Sequence, residues 1–336
     1  SLVPRIPAHL VMSTPAAPPP IGITVVVPSF NQGRFIDETL HSLLDQAYPA
    51  LEVLVMDGGS TDDTLDRLRA WGDRITWVSE KDEGQSDAIA KGFARARHDW
   101  ITWLNSDDVQ CNRALWQVAA IIDRQPDVDV VVGQGHYMDA DGSNPRPYPT
   151  IDAGADPRRE LFEKGYVAQP SVFFRRARYE AIGGIDRRLN FCMDYDLWVR
   201  LAVSGCRFAP CAADLSGNRW YETTKTASQL LDLLAEVTAC QTRHFGRVSP
   251  YFVQAISDNL YAKLHSAHHG DRWHILYRVL YFKSVWLWLN ARRPGYCLRG
   301  LFTETIAKSG PVVGDRLTWN DWFRGAKDLL AARWRR

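Results

Sequence analysis

The feature that most restricts this chain is a regular alternation between residues 21 and 132. Short β-branched runs are followed by polar clusters, and these by apolar residues at helical spacing. Residues 23–28, 53–56, 75–79, 100–104 and 128–132 read as strands. Ile36, Leu40, Leu43 and Leu44 mark one helix, and Leu65 and Leu68 a second. Residues 88–96 mark a third, and Leu115, Val118 and Ile122 a fourth. Continuous apolar runs too short for helices suit strands covered on both faces. The pattern therefore predicts an α/β fold, a Rossmann-like and mainly parallel central sheet flanked by helices. Ligands of such sheets bind outside the carboxyl ends of the strands. The clusters at 29–33, 57–62, 80–85 and 105–108 each follow a strand, so they are expected to converge on one edge.

Composition removes several classes. Hydrophobic residues at 46% and charged residues at 24% exclude wholesale disorder. Forty Lys and Arg against 39 Asp and Glu leave a net charge of +1, which excludes a nucleic-acid-binding polycation. Cys111, Cys192, Cys206, Cys211, Cys240 and Cys297 form no CxxC pair and read as reduced thiols of a cytosolic protein. No run of 18 apolar residues occurs, and the longest stretch, 275–289, is interrupted by Arg278 and Lys283, so no spanning helix is expected. No signal-peptide pattern opens the chain. Residues 1–5 resemble a protease-site remnant, Met12 reads as a natural start, and 1–20 as a remnant and disordered Pro/Ala leader.

Four groups of residues carry chemistry. Asp107 and Asp108 are adjacent carboxylates at a strand end; they repel each other unless a cation is present, and oxygen-only ligands favour Mg2+ or Mn2+. The same residues alone also read as a solvated turn with a helix cap. Asp57-Gly58-Gly59-Ser60 has glycines for close backbone approach, yet neither GxGxxG nor GxxxxGK[ST] occurs. Asp194 and Asp196 open a strong helix over 194–203, as caps or as a general base at a site's edge. Arg219 and Lys225 lie in a polar segment, either solvated or holding phosphates.

Taken in order, these segments resemble family 2 glycosyltransferases of the GT-A fold over about 200 residues, 22–226. Val25-Val26-Val27-Pro28-Ser29-Phe30-Asn31 is similar to the first motif, and residues 51–64 to the second. Residues 79–88 are similar to a nucleotide-pocket segment. Trp103-Leu104-Asn105-Ser106-Asp107-Asp108 stands in place of the metal-binding DxD, and residues 183–186 and 193–201 resemble the acceptor-side motifs. The resemblance implies inverting transfer of a sugar from a nucleotide sugar, with UDP expected, to an acceptor hydroxyl. Phe30 would stack on the base and Asp57 hydrogen-bond it. Pro28, Asp82, Gln85 and Ser106 would line the nucleoside pocket. Asp107 would bind a divalent ion, Mn2+ or Mg2+, and Asp194 would take the acceptor proton. Metal neutralisation of a leaving diphosphate and a carboxylate facing the attacking hydroxyl agree with this assignment.

Four positions depart from the pattern. Asn105 replaces the first DxD acid, Gly58 and Ala90 replace an expected Asp and Asn, and Tyr221 stands where a His is usual. Arg219 and Lys225 would supply the missing positive charge. The departures leave a catalytically lapsed nucleotide-sugar binder as the alternative. A nucleotidyltransferase is disfavoured because a Gly- and Lys-rich phosphate loop is missing after the first strand.

Residues 227–336 read as a helical, basic, Trp-rich region following the catalytic domain at 21–226. Residues 271–336 hold 13 Lys and Arg against 5 Asp and Glu, a local +8 that leaves −7 on the rest, and six of the thirteen tryptophans. Three readings stand: a peripheral contact with an anionic membrane surface, packing on the catalytic domain, and a homodimer interface. The first would place the enzyme in the cytoplasm, on the cytosolic face of a bacterial inner membrane. Its acceptor would then be a glycan or lipid-linked glycan of a surface polysaccharide such as O-antigen or capsule.

Overall fold

The structure, a computed structural model, describes residues 20–165, 167–221, 230–264 and 274–290. Lys225 and most of the basic tail lie outside these residues. The strands are β1 (Ile23–Ser29), β2 (Leu51–Asp57), β3 (Thr76–Ser79), β4 (Trp100–Trp103), β5 (Val109–Gln110), β6 (Val130–Met138), β7 (Arg146–Pro147), β8 (Val172–Arg175) and β9 (Phe208–Arg219). The helices are α1 (Gly33–Leu44), α2 (Thr64–Ala70), α3 (Gln85–Phe93), α4 (Ala114–Arg124), α5 (Pro157–Glu163), α6 (Arg176–Ala181), α7 (Met193–Val203), α8 (Leu230–Phe245), α9 (Pro250–Leu264) and α10 (His274–Asn290).

One sheet runs in the order β3-β2-β1-β4-β8-β6-β9-β5, with β7 paired to β6. The first four strands are mutually parallel, as their continuous apolar runs predict. Beyond β4 the sheet becomes mixed: β8 runs antiparallel to both β4 and β6, while β6 and β9 are parallel to each other. Two antiparallel steps restore direction, so β1, β2, β4, β6 and β9 all point their carboxyl ends toward one edge. That shared edge gathers the polar clusters.

The period-two geometry of a strand divides the apolar residues between two cores. Val25, Val27, Val53, Val55, Val131 and Phe173 face α1, α2 and α4. Val26, Leu54, Met56, Ile101, Val130 and Phe174 face α3 and α7. Helix α3 lies close on the sheet because residue 92 is glycine; a Cβ there would stand 2.4 Å from Val26 Cγ1. The second core continues without a break into the C-terminal helices, through Leu234, Val237, Phe252, Ile256, Phe282 and Trp286. Among the three readings of the C-terminal region, packing on the catalytic domain is thus what the described part of it does. No helix of the described residues is long and apolar enough to cross a membrane.

Candidate active site

The first two polar clusters form one bolted unit. Asn31 takes a left-handed backbone (φ 54°), which its short polar side chain tolerates. Its amide donates to Ser60 Oγ at 2.7 Å, and its Oδ1 accepts from the Thr61 amide at 2.8 Å. The Gly33 amide donates to Asp62 Oδ2 at 3.0 Å. Phe30, between the bolts, is 59% exposed, an aromatic ring presented at the strand-end edge. Pro28 lies buried beneath it in β1.

Asp57 differs from its expected role. Its Oδ2 accepts from the Gly59 and Ser60 amides (3.1 and 3.0 Å) and from Ser79 Oγ (2.6 Å), and Oδ1 accepts from Ser60 Oγ (2.5 Å). The side chain is buried, and in this arrangement it shapes the turn instead of presenting an oxygen to a base. Asp82 stands nearby: a Cβ on Gly58 would lie 2.6 Å from Asp82 Oδ2. The glycine that replaces the usual acid therefore makes room for the Asp82 carboxylate, whose Oδ1 accepts from the Gly84 amide at 2.9 Å.

The loop after β4 is tied from several sides. Gln85 Nε2 donates to Asn105 Oδ1 at 2.7 Å, and Asn105 Nδ2 donates to Asp108 Oδ2 at 3.0 Å. Asp108 is buried, and its other oxygen accepts from the Arg219 amide at 2.8 Å. Burial, and the charge of Asp107 beside it, push its carboxyl well above the usual range. Ser106 is buried too, its carbonyl accepting from Thr39 Oγ1 at 3.0 Å. Asp107 remains partly exposed. Its Oδ2 accepts from the Tyr221 hydroxyl at 2.7 Å, and its Oδ1 has no hydrogen bond among the described residues.

That donor set fits one kind of metal site. Asn105 has both side-chain atoms engaged, so Asp107 is the carboxylate left to hold a cation. Mg2+ and Mn2+ often take one or two carboxylates and complete their shell with substrate phosphates and water. A single carboxylate with an open oxygen suits that arrangement. Arg219 does not take the phosphate-facing place expected of it. Its guanidinium is fully buried over the Phe35 ring (4.8 Å), pairs with Glu38, and donates to the Ala140 and Asp107 carbonyls. It clamps the Asp107 loop from below and is not presented to a phosphate, because pairing of β9 with β6 draws it inside.

Asp194 sits at the start of α7, partly exposed. Its Oδ1 accepts from the Tyr195 amide at 2.7 Å, and its Oδ2 has no hydrogen bond among the described residues. Burial pushes its carboxyl up to about 6, a lesser contribution coming from the negative charge of Glu236; the backbone bonds act the other way. Asp196, by contrast, is fully buried and paired with Arg200 (2.7 Å) and His244 (3.1 Å), which hold it below the usual range, so it is structural. Two bonds join the α7 side to the nucleotide side. Ser86 Oγ donates to the Leu189 carbonyl at 2.7 Å, and Arg187 pairs with Asp87 at 3.0 Å. Trp198 of α7 stacks on Trp103, two residues before Asn105, with centroids 5.5 Å apart. The Asp107 and Asp194 segments thus share one connected network.

The carboxyl ends of β6 and β9 add an aromatic group at the same edge. Tyr137 stacks on Tyr148 (4.3 Å) and meets the half-exposed Trp220 edge-on (5.6 Å). Glu236, from α8, was also not read from the sequence. Its signal was an acid lying within an apolar stripe that includes Leu233, Val237 and Cys240.

Residues 24–183 match the model of Glycosyl transferase family 2. An uncharacterised glycosyltransferase of Rickettsia typhi is 24% identical over 221 residues, covering 62% of this chain and 68% of that protein. A PGL/p-HBAD biosynthesis glycosyltransferase of Mycobacterium tuberculosis is 28% identical over 182 residues, 53% of this chain and 68% of its own. The crystal structure of S. aureus TarS 1–349 with UDP-GlcNAc superposes with a TM-score of 0.54 at 15% identity, covering 88% of this chain and 99% of that one. From the matched segment, the named relatives and the shared fold, this chain is a glycosyltransferase, similar over residues 24–183 to Glycosyl transferase family 2.

Proposed function

We propose that the enzyme transfers a sugar, with inversion, from a nucleoside diphosphate sugar to a hydroxyl of a glycan or lipid-linked glycan in the building of a surface polysaccharide. The observation that carries the reading is the presence, on segments joined by the Ser86–Leu189, Arg187–Asp87 and Trp103–Trp198 contacts, of two different carboxylates. Asp107 has an oxygen open for a cation, and Asp194 has an oxygen open for a proton and a proton affinity near neutrality.

The exposed Phe30 ring would stack on the base, with Asp82, Gln85, Pro28 and Ser106 around the nucleoside. A divalent ion, Mn2+ or Mg2+, held by Asp107 would offset the charge that gathers on the leaving diphosphate. Asp194 would accept the proton of the acceptor hydroxyl as its oxygen forms the new bond to the anomeric carbon. The bond from that carbon to the phosphate oxygen breaks on the opposite face, and the nucleoside diphosphate leaves with the electron pair. One in-line displacement inverts the configuration. The rings of Tyr137, Tyr148 and Trp220 offer an acceptor sugar an apolar face at the same edge. Uridine is the proposed base, in keeping with the UDP-GlcNAc bound by TarS. Acceptors of the cell envelope accord with a relative named for PGL/p-HBAD biosynthesis.

A thermal-shift panel of nucleotide sugars with Mn2+ and Mg2+ tests the reading, because a ligand that binds only the folded state raises apparent stability. One donor is expected to raise Tm and then to give a product of inverted anomeric configuration by NMR. No shift with any donor and no transfer would overturn it, and a shift without transfer to any hydroxyl acceptor would favour a lapsed binder.

A further inference from the structure

The base proposed above does not stand on its own scaffold. Asp194 is the second residue of α7, and the residue before that helix, Cys192, makes no side-chain cap bond. The amides at a helix start and in the loop leading into it need acceptors. For the Cys192 cap and the two residues before it, the acceptor comes from the chain's C-terminal helical region. Glu236 of α8, only 7% exposed, accepts through Oε2 from the amides of Asn190 (3.2 Å), Phe191 (2.8 Å) and Cys192 (3.1 Å). Its Oε1 accepts from the Asn190 amide at 3.1 Å. Successive amides converging on one carboxylate form an anion nest, and hydrogen bonds to a charged acceptor are stronger than neutral ones.

The opposite end of the same loop is held by the nucleotide side, where Ser86 Oγ donates to the Leu189 carbonyl at 2.7 Å. The four residues 189–192 are therefore gripped at one end by α3 and at the other by α8, and Asp194 follows two residues later. A shift of about 1 Å in a catalytic group can lower the rate of a positioned reaction by about two orders of magnitude.

We infer that Glu236 is a positioning residue of the transferase. Its carboxylate fixes the 190–192 loop so that Asp194 meets the acceptor hydroxyl, which makes α8 part of the active-site machinery. The inference rests on Asp194 being the base. A cap that merely stabilised the fold would affect every function of the protein together. A positioning group affects the chemical step and leaves the donor side, built on β1, β2 and β4, unchanged.

The test uses the full chain and the donor selected by the thermal-shift panel, with wild type, Glu236→Ala and Glu236→Gln compared. Glu236→Ala is expected to lower kcat 10- to 100-fold while the donor Kd changes less than twofold. Glu236→Gln keeps one acceptor oxygen for Phe191 and Cys192 and is expected to recover most of the lost kcat. Amide hydrogen exchange across residues 189–196 is expected to speed at least tenfold in the alanine variant. If the alanine variant fails to fold, Glu236→Asp, which retracts the charge by one methylene, replaces it with the same expected fall in kcat. Retention of kcat within twofold, or equal losses of kcat and donor affinity, would overturn the inference. Absence of transfer by the wild type would sink the transferase reading instead, and the exchange measurement would still judge the anchor.

Discussion

Tyr221 donates its hydroxyl hydrogen to Asp107 Oδ2 at 2.7 Å, across 114 residues of sequence. The tyrosine replaces an expected histidine, and its phenol, pushed upward by burial and the nearby Asp107 charge, stays a neutral donor at physiological pH. One oxygen of the proposed metal ligand is thus occupied by the protein. Tyr221→Phe is expected to lower the Mn2+ concentration needed for half-maximal donor binding several-fold, and Asp107→Ala to remove the metal-dependent part of that binding. Calorimetric titration of donor with and without Mn2+ checks both. Equal donor affinities for wild type and Asp107→Ala under both conditions would end the metal assignment.

Asp194 yields a prediction in two parts. A general base must be deprotonated, so kcat should rise through about pH 6 and level above it. Asp194→Asn should lower kcat by about 10²–10⁴-fold, the usual contribution of such a group, with donor binding retained. The stability part has its own sign. A carboxyl whose folded pKa is raised adds stability that is fully present below its ordinary, unfolded pKa and is lost as pH climbs through about 6. The loss is at most about 3 kcal/mol for a carboxyl raised from its ordinary value to about 6. The asparagine cannot ionise, so the variant should melt higher than wild type at pH 8 and nearly equal to it at pH 4. Melting curves with the reverse order would disprove the buried-carboxylate account.

Phe30 and Asp57 divide what the resemblance had joined at the base-binding turn. The exposed ring is free to stack, whereas the buried carboxylate is tied to Gly59, Ser60 and Ser79. Phe30→Ala should weaken donor binding by about 1–3 kcal/mol, the range for one base–aromatic stack, with little change in Tm. Asp57→Ala should instead lower Tm, because it orphans several buried donors at once. Calorimetry and melting on the two variants separate the roles; a large Tm loss at Phe30 would refute the division.

The legible part of the fold is the part whose strands carry their own signal. Runs such as Val25-Val26-Val27 and Val53-Leu54-Val55 admit few other placements, so β1–β4 and the site edge follow from local pattern. Beyond β4 the pattern marks only the start of β6, at 128–132. β6 continues through Gly133-Gln134-Gly135-His136-Tyr137, and β9 runs through alanines, a proline and a glycine; neither sequence favours a strand. Each is fixed by the other, in a parallel pairing whose register shifts twice near Gln134. The same pairing buries Arg219, which local polarity had marked for solvent or phosphate. Glu236 showed locally only as an acid within an apolar stripe; its partner, the Cys192 amide, lies 44 residues away, beyond the reach of local spacing.

The last prediction concerns the C-terminal region. Trp286 is 2% exposed and packs with Phe282 and Val285 in the core that also holds Trp198. Trp286→Ala should therefore cost about 3–5 kcal/mol, as large buried aromatics do, whereas Leu287→Ala, 40% exposed, should cost under about 0.5 kcal/mol. Removing everything after 270 would strip this packing, so a fair test of membrane binding keeps α10. Flotation with anionic vesicles should compare the full chain with one ending at residue 290. Residues 291–336 carry 10 Lys and Arg against 4 Asp and Glu, and basic residues near an anionic surface contribute about 1 kcal/mol each. Binding by the full chain alone, weakening as salt is raised, is the expected result. Equal and negligible flotation of both would leave the tail to another role, and a concentration-dependent change in mass confined to the full chain would assign it to self-association.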